Sequence, residues 1–351
     1  MTDTPKKLGF HMPAEWEEHS AIWLAWPHDK ISFPKLGKVE NDIVKIIATI
    51  SPHEQVELLV LNEDMKIKAE GMLKQAAVDL NKITFHIVDY MDAWMRDCGP
   101  CFLKNPETYE QAWVKWTYNV YGEKFPDLLK DNEVMLKLRG KINARMFEPE
   151  IVMEGGAIEV NGQGTLITTE QCLLSPNRNP SLDKEKIEKY LRDYLGVSKI
   201  IWLKQGLFND HTDGHIDDVA KFVSANKILC AYEENPEDEN YAILQDCYQT
   251  LTKTTDINNK PFEVIKLPMA HLQYSQDKPF EAGQKAAASY TNFYIGNEVV
   301  LAPTYNDLND AKALEIIQSC FPDRKVVGID CSDIIYGGGA IHCLTQQQPA
   351  I

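Results

Sequence analysis

The sequence predicts an α/β fold built from a repeated module. Three features carry this: strand-like runs paired across short turns, an amphipathic helical pattern after each pair, and an apolar strand after each helix at a constant interval. Residues 157–160 and 165–168 flank Asn161-Gly-Gln-Gly164, 219–223 and 227–230 flank Ser-Ala-Asn, and 291–295 and 298–301 flank Gly296-Asn297. Short turn sequences between β-rich runs are the hairpin signal. The helical patterns occupy 182–195, 239–252 and 310–320. In the first, Ile187, Tyr190, Leu191, Tyr194 and Leu195 share a face, and Gly196 supplies the stop. In the third, Ala313, Ile316, Ile317 and Cys320 form the stripe that is buried. Strands 199–203, 262–267 and 325–329 follow, their starts 63 residues apart both times. A fixed period of this size marks a modular architecture. Toward the N-terminus the pattern is less regular, with helices near 38–50 and 65–80 before strands 56–61 and 83–88. No long Gly/Ser or charged linker intervenes, so one domain over 1–351 is expected.

The composition narrows the function classes. With 36 basic against 52 acidic residues the net charge is −16, which argues against a nucleic-acid surface and suits a cationic substrate. Eight cysteines, at 98, 101, 172, 230, 247, 320, 331 and 343, are scattered rather than arranged as a disulfide framework. Cys98 and Cys101 form a CxxC with no second one to match, so packing thiols are expected there, not zinc or redox ligands. No apolar signal region follows the N-terminus and no run approaches the ~18 apolar residues of a membrane span. A cytoplasmic protein with reduced thiols is expected.

Polar clusters follow the strands. Trp94-Met-Arg-Asp-Cys-Gly-Pro100 comes after 83–88, Met153-Glu-Gly-Gly156 after 146–152, and Asn209–Asp218 after 199–203. After 325–329 three glycines, 337 to 339, lead into His342 and Cys343. Gly155-Gly-Ala-Ile-Glu159 echoes Gly338-Gly-Ala-Ile-His342, which supports equivalent positions. If the modules form a ring, these loops converge on its axis.

The convergent set is Cys343, His215, Asp97, Asp217 and Glu154. In an extended segment His215 and Asp217 project from one face. A Cys–His–Asp acyl transferase needs one orienting acid, so three carboxylates are a surplus. They suit a planar cation with several N–H donors, such as a guanidinium. His211 and His215 with Asp213 and Asp217 could instead be metal ligands, as in metal-dependent ureohydrolases, but that leaves Cys343 and its glycines unused. Asp97 beside Arg96 could be a local ion pair. His342 reads as structural, and the acidic run 233–239 as a solvated loop.

These residues carry a family resemblance. The chain resembles the agmatine deiminases of the guanidine-modifying (pentein) superfamily, which includes bacterial peptidylarginine deiminases. The matching stretches begin with Met12-Pro-Ala-Glu-Trp-Glu-Glu-His, Ile22-Trp-Leu-Ala-Trp-Pro27, Met95-Arg-Asp-Cys-Gly-Pro100 and Glu154-Gly-Gly. Asn177-Arg-Asn-Pro180, Gly214-His-Ile-Asp-Asp218, Asn292-Phe-Tyr-Ile295, Phe321-Pro-Asp-Arg324 and Gly338–Gln347 continue in the family's order. The resemblance implies a five-module pseudo-symmetric α/β propeller with its site on the central axis. It implies Cys343 as nucleophile, His215 as proton shuttle, Asp97 and Asp217 as guanidinium ligands, Glu154 as the residue orienting His215, and Trp94 flanking the substrate's alkyl chain. It further implies agmatine as substrate in polyamine (putrescine) biosynthesis, with no metal or organic cofactor.

The family's usual Asn-Ala-Trp-Gly-Gly is Asn119-Val-Tyr-Gly-Glu123 here, and its Asp-Asn-Trp-Arg after Trp-Pro is absent around 29–34. Both segments belong near the substrate entrance, so arginine or peptidyl-arginine remains the alternative substrate. An arginine carboxylate would want a basic partner, and Arg96 is the one arginine or lysine directly beside a candidate catalytic residue. A non-catalytic pentein-fold binding protein has no use for the thiol–imidazole–carboxylate set. Neither nucleic acid nor membrane is expected as a partner, and self-association is left open.

Overall fold

In the computed structural model, which describes residues 3–275 and 282–351, the module occurs five times. The first copy holds β1 (His19–Ala25), α1 (Leu36–Ile50), β2 (Gln55–Val60), α2 (Glu63–Gln75) and β3 (Ile83–Ile87). The second has β4 (Cys101–Asn105), β5 (Glu110–Val114) and β6 (Arg145–Phe147). The third has β7 (Glu159–Val160), β8 (Thr165–Thr169), α3 (Lys184–Leu195) and β9 (Lys199–Leu203). The fourth has β10 (Ala220–Ser224), β11 (Lys227–Tyr232), α4 (Asn240–Lys253) and β12 (Glu263–Pro268). The fifth has β13 (Tyr294–Ile295), β14 (Val299–Thr304), α5 (Asp310–Cys320) and β15 (Lys325–Asp330), and β16 (Gln346–Pro349) ends the chain.

In the second to fifth copies an antiparallel hairpin is extended by a third strand parallel to its neighbour. A parallel return needs a crossover, which α3, α4 and α5 supply. The first copy borrows its hairpin partner from the far end of the chain. β16 pairs antiparallel with β1, His19 opposite Pro349 and Trp23 opposite Gln346, so the ends of the sequence close the ring. β2 and β3 then add in parallel. The result is the α/β propeller expected from the sequence.

The helices form for local reasons. Asp183 caps α3 by accepting from Lys186 N at 2.9 Å, and Gly196 at φ +70° ends it. Ile187, Leu191 and Leu195 are buried at spacing four, while Tyr190 and Tyr194 lie half-buried with rings 6.0 Å apart. In α5, Ala313 and Ile317 are buried and Ile316 and Cys320 partly so.

Several elements differ from the expectation. The helix anticipated over 65–80 starts at Glu63 on the Asn62 cap and ends at Gln75. The hairpin of the second copy has no predicted counterpart. Its crossover is not one helix but a 3₁₀ segment (Pro126–Glu133) and a short helix (Val134–Leu138), so no long period marks it. The strand expected to begin at 291 begins at Tyr294, because Thr291 turns away and donates its hydroxyl to Asp217 O at 3.0 Å. Within the acidic run, Glu233 is buried and bonded to His271 at 3.0 Å, whereas Glu234 and Glu237 are exposed.

None of the eight cysteines is in a disulfide. Cys98 donates to Trp94 O at 3.3 Å and Cys101 faces Met12 Sδ at 3.7 Å, so the CxxC thiols pack separately. Among the described residues no helix is long and apolar enough to cross a membrane.

Candidate active site

Each sheet sends the loop after its last strand to a common point, and hydrogen bonds and one longer ion-pair contact tie these loops into a ring. Gly156 N, after β6, donates to Asp97 Oδ1, after β3, at 2.9 Å. Glu154 Oε2 faces His215 Nε2, after β9, at 3.8 Å. Thr291, after β12, donates to Asp217 O. His342 N, after β15, donates to Asn292 O at 3.1 Å, and Arg96 Nε returns to His342 O at 3.3 Å. Asp97, Glu154, His215, Asp217 and Cys343 are thus brought together, all buried. Asp217 lies in a 3₁₀ turn (Ile216–Asp218) that His215 immediately precedes, not in an extended strand, yet both side chains reach the same spot. A Cβ on Gly156 would lie 2.6 Å from His215 Nδ1, 2.8 Å from Asp97 Oδ1 and 3.1 Å from Asp217 Oδ2. Only a glycine permits that approach.

The glycines before Cys343 serve the same end. Gly338 has φ +94°, and a Cβ on it would meet His211 Cε1 at 1.7 Å. A Cβ on Gly339 would sit 2.9 Å from Cys343 Sγ and 2.9 Å from Trp94 Cζ3. The close approach is to side chains that wall the site.

The electrostatics divide the groups by role. Burial pushes the Cys343 thiol well above its ordinary range, and Asp217, Asp218 and Asp97 add repulsion against a thiolate. Burial also raises Asp97 to about 6, against the pull of His215 and with the repulsion of Asp217 and Glu154. Burial opposes charge on His215 too, but Asp97, with Cys172 and Glu154, holds its proton on, well above the usual imidazole range. Glu154 is lowered to about 2: burial works against it, but the Arg178 guanidinium prevails. For Asp217 burial is likewise outweighed, by the hydrogen bond and charge of His342.

Three partners, Arg178, Tyr121 and Asn292, have no role assigned from the sequence, and a fourth, His342, reads there as structural. Arg178 donates from Nε to both Glu154 oxygens, at 3.0 and 2.9 Å, and from Nη1 to Asp213 at 3.1 Å. Tyr121 donates its hydroxyl to Asp97 Oδ2 at 2.9 Å. Asn292 meets Cys343 Sγ through Nδ2 at 3.0 Å. His342 bridges Asp217 Oδ2 (Nδ1, 2.8 Å) and Glu15 Oε2 (Nε2, 2.9 Å), so its structural role acts directly on the site. Arg96 does not pair with Asp97; its Nη1 donates to Gln346 at 2.6 Å.

A cavity of about 490 Å³ lies beside this point, on the far side of Trp94 and Tyr121, and is lined by them with Phe125, Gly337, Asp29, Asp92 and Asp127. Both segments that depart from the family pattern contribute to it. Trp94 is fixed there by its Nε1 bond to Asp92 at 2.9 Å. Lys124 also lines it, but donates to His211 O at 2.9 Å and pairs with Asp213.

Of His211, Asp213, His215 and Asp217, considered as metal ligands, Asp213 is bound to Arg178 and Lys124 and Asp217 to His342. A different trio, Glu154, Cys172 and His215, lies within coordinating range of one another. Both Glu154 oxygens already accept from Arg178, a cation that competes with any metal there.

Comparison with known proteins identifies the family. The family model for Porphyromonas-type peptidyl-arginine deiminase matches residues 11–349. The solved agmatine deiminase of Enterococcus faecalis is 36% identical, with a TM-score of 0.92, covering 100% of this chain and 98% of that one. A C. jejuni agmatine deiminase with substrate bound is 28% identical, with a TM-score of 0.85, covering 97% of this chain and 96% of that one. A Legionella pneumophila protein bearing the name "Putative agmatine deiminase" is 36% identical over 352 residues, 99% of this chain and 97% of the relative. The chain belongs to the Porphyromonas-type peptidyl-arginine deiminase family, hydrolytic deiminases acting on C–N bonds of guanidines.

Proposed function

We propose that the chain is a single catalytic domain that converts agmatine and water to N-carbamoylputrescine and ammonia, with Cys343 as nucleophile. The meeting of Cys343, His215 and three carboxylates at one buried point supports this most directly. The guanidinium lies between Asp97 and Asp217, which accept its N–H groups in charge-assisted bonds. Asp217 Oδ1 is buried with no hydrogen-bond partner among the described residues, which leaves it for a donor on the substrate. The bound cation offsets the repulsion that the carboxylates exert on a thiolate, so the thiol gives up its proton to solvent and the thiolate forms upon binding.

Sγ attacks the guanidinium carbon. His215, held protonated, gives its proton to the departing nitrogen, and the C–N bond breaks to release ammonia and leave an amidino-thioether. The neutral His215 then takes a proton from water as its oxygen attacks the same carbon. The C–S bond breaks and the thiolate returns. Glu154, locked by Arg178, orients His215 and stabilises its charge. Trp94 flanks the alkyl chain.

The acidic mouth favours a substrate with a distal cation. An arginine carboxylate would face Asp29 and Asp127, while Asp92 is engaged by Ser32, Ala93 and Trp94 and Lys124 by His211 and Asp213. With ammonia and urea both measured, agmatine is expected to give ammonia alone. Its kcat/KM is expected to exceed that of arginine and of a peptidyl-arginine by roughly 100-fold or more, the cost of a few kcal/mol for an unpaired carboxylate. Urea released with Mn²⁺ would support a ureohydrolase instead, and a preference for arginine would overturn the choice of substrate.

The pH dependence has a definite sign. Asp97 stands at about 6 in the free enzyme and must be ionised to hold the cation. kcat/KM is therefore expected to be full above pH about 6 and to fall about tenfold per unit below it. The bound guanidinium favours ionised Asp97, so the acid limb of kcat is expected at lower pH. Coincident limbs in the two profiles would contradict the role given to Asp97.

A further inference from the structure

We infer that Glu15 is a positioning residue for the reaction: it holds His342 as an imidazolium, which fixes Asp217 as an anion with one oxygen bound and the other free for the guanidinium. This rests on the proposed role of Asp217 as a guanidinium ligand.

Glu15, Lys221 and His342 are all buried, and none of them takes part in the proposed steps. They form a chain of alternating charge that ends on Asp217. Lys221 Nζ, on β10, donates to Glu15 Oε2 at 2.7 Å. His342 Nε2 faces the same oxygen at 2.9 Å, and its Nδ1 faces Asp217 Oδ2 at 2.8 Å. Glu15 Oε1 accepts from Ile295 N at 2.8 Å, which anchors the carboxylate to β13. Burial opposes charge on Glu15, but Lys221 and His342 prevail and hold its carboxyl well below the ordinary range. An ionised carboxylate only accepts. With an anion on either side, each ring nitrogen of His342 must supply a proton, and the ring is an imidazolium. A neutral ring would turn a lone pair toward one of the two carboxylates. The imidazolium takes up Asp217 Oδ2, while Oδ1 has no partner among the described residues.

Two substitutions separate this role from a structural one. Glu15→Gln removes the anion that keeps the second ring proton in place. His342→Asn keeps the Glu15–Lys221 pair and removes the imidazolium itself. Both leave the other nearby charges in place: Arg96, 3.9 Å from Glu15, and His215, Asp97, Asp218 and Cys343 around Asp217. Burial raises Glu159 to about 7, against Lys221 and with repulsion from Glu15. Loss of Glu15 lowers Glu159, so it cannot move an acid limb upward. Without the charge of His342, burial weighs more at Asp217, which then takes a proton more readily. In each variant kcat/KM for agmatine at pH 6 is expected to fall roughly 10-fold further below its value at pH 8 than in the unmodified enzyme. That is the size expected for loss of a hydrogen bond to a charged group, and KM should carry it. A purely structural role would lower the rate alike at both pH values, and that result in either folded variant overturns the inference. NMR of the histidine ring nitrogens in the unmodified enzyme at pH 8 decides independently of whether the variants fold. Both nitrogens of His342 are expected to be protonated, and a bare nitrogen on that ring overturns the inference. Failure of the guanidinium-ligand assignment looks different: Asp217→Asn would leave the KM for agmatine unchanged.

Discussion

Replacing Cys343 by alanine is expected to abolish ammonia release from agmatine, lowering kcat by roughly 10⁴-fold or more, as removal of a covalent nucleophile does. The fold should survive, because the side chain is small and its close polar side-chain partners among the described residues are Asn292 and Asp217. The thiol is neutral in the free enzyme, so its removal relieves no charge repulsion and leaves only a small void, and stability is expected to fall by about 1 kcal/mol. Steady-state ammonia assays with a thermal melt on the same sample check both halves. A folded Cys343→Ala enzyme that retains more than a few per cent of its rate would assign the chemistry elsewhere.

Glu154→Gln is expected to have the second-largest effect, on activity and stability together. Glu154 is fully buried between Arg178 and His215, and its carboxyl is lowered from 4.5 to about 2. At about 1.4 kcal/mol per unit this shift corresponds to roughly 3 kcal/mol of stability. Because the folded value lies below the unfolded one, the contribution is present above pH 4.5 and is lost as pH falls toward about 2. The glutamine variant should therefore be less stable by about 3 kcal/mol at pH 7, with a smaller further loss on acidification through that window. Breaking a buried ion pair by removing one partner costs a similar amount, about 3–5 kcal/mol. The rate should drop roughly 10²- to 10³-fold, because His215 loses an anion that keeps its proton in place. Denaturant melts at pH 7 and pH 3 would show the stability effect. Parallel pH–stability curves for the two proteins would mean that the Glu154–Arg178 pair does not carry it.

The parts of the fold legible in the sequence were those with uninterrupted local periods. α3, α4 and α5 each follow a hairpin and precede a strand, so their modules announce themselves at a 63-residue spacing. The second module lacks a long crossover helix, and β16 can be placed only by knowing that it pairs with β1 across the length of the chain. Neither leaves a periodic trace. For the site, residues whose type implies chemistry stood out where they followed strands, and Asp97, Glu154, His215, Asp217 and Cys343 do meet. Arg178 and Asn292 lay in stretches noted only for their resemblance to the family. An arginine or asparagine in a loop gains a role through the atom it faces, Glu154 in one case and Cys343 Sγ in the other. That pairing is a property of the closed ring and has no counterpart in local sequence.

The most direct test of the central claim is acid quenching of the enzyme during turnover of agmatine, followed by mass mapping of the peptide that contains Cys343. An amidino adduct on that sulfur, formed and lost at rates matching ammonia release, is the expected result. Turnover with Cys343 unmodified at every time point, or with urea as the product, would contradict it.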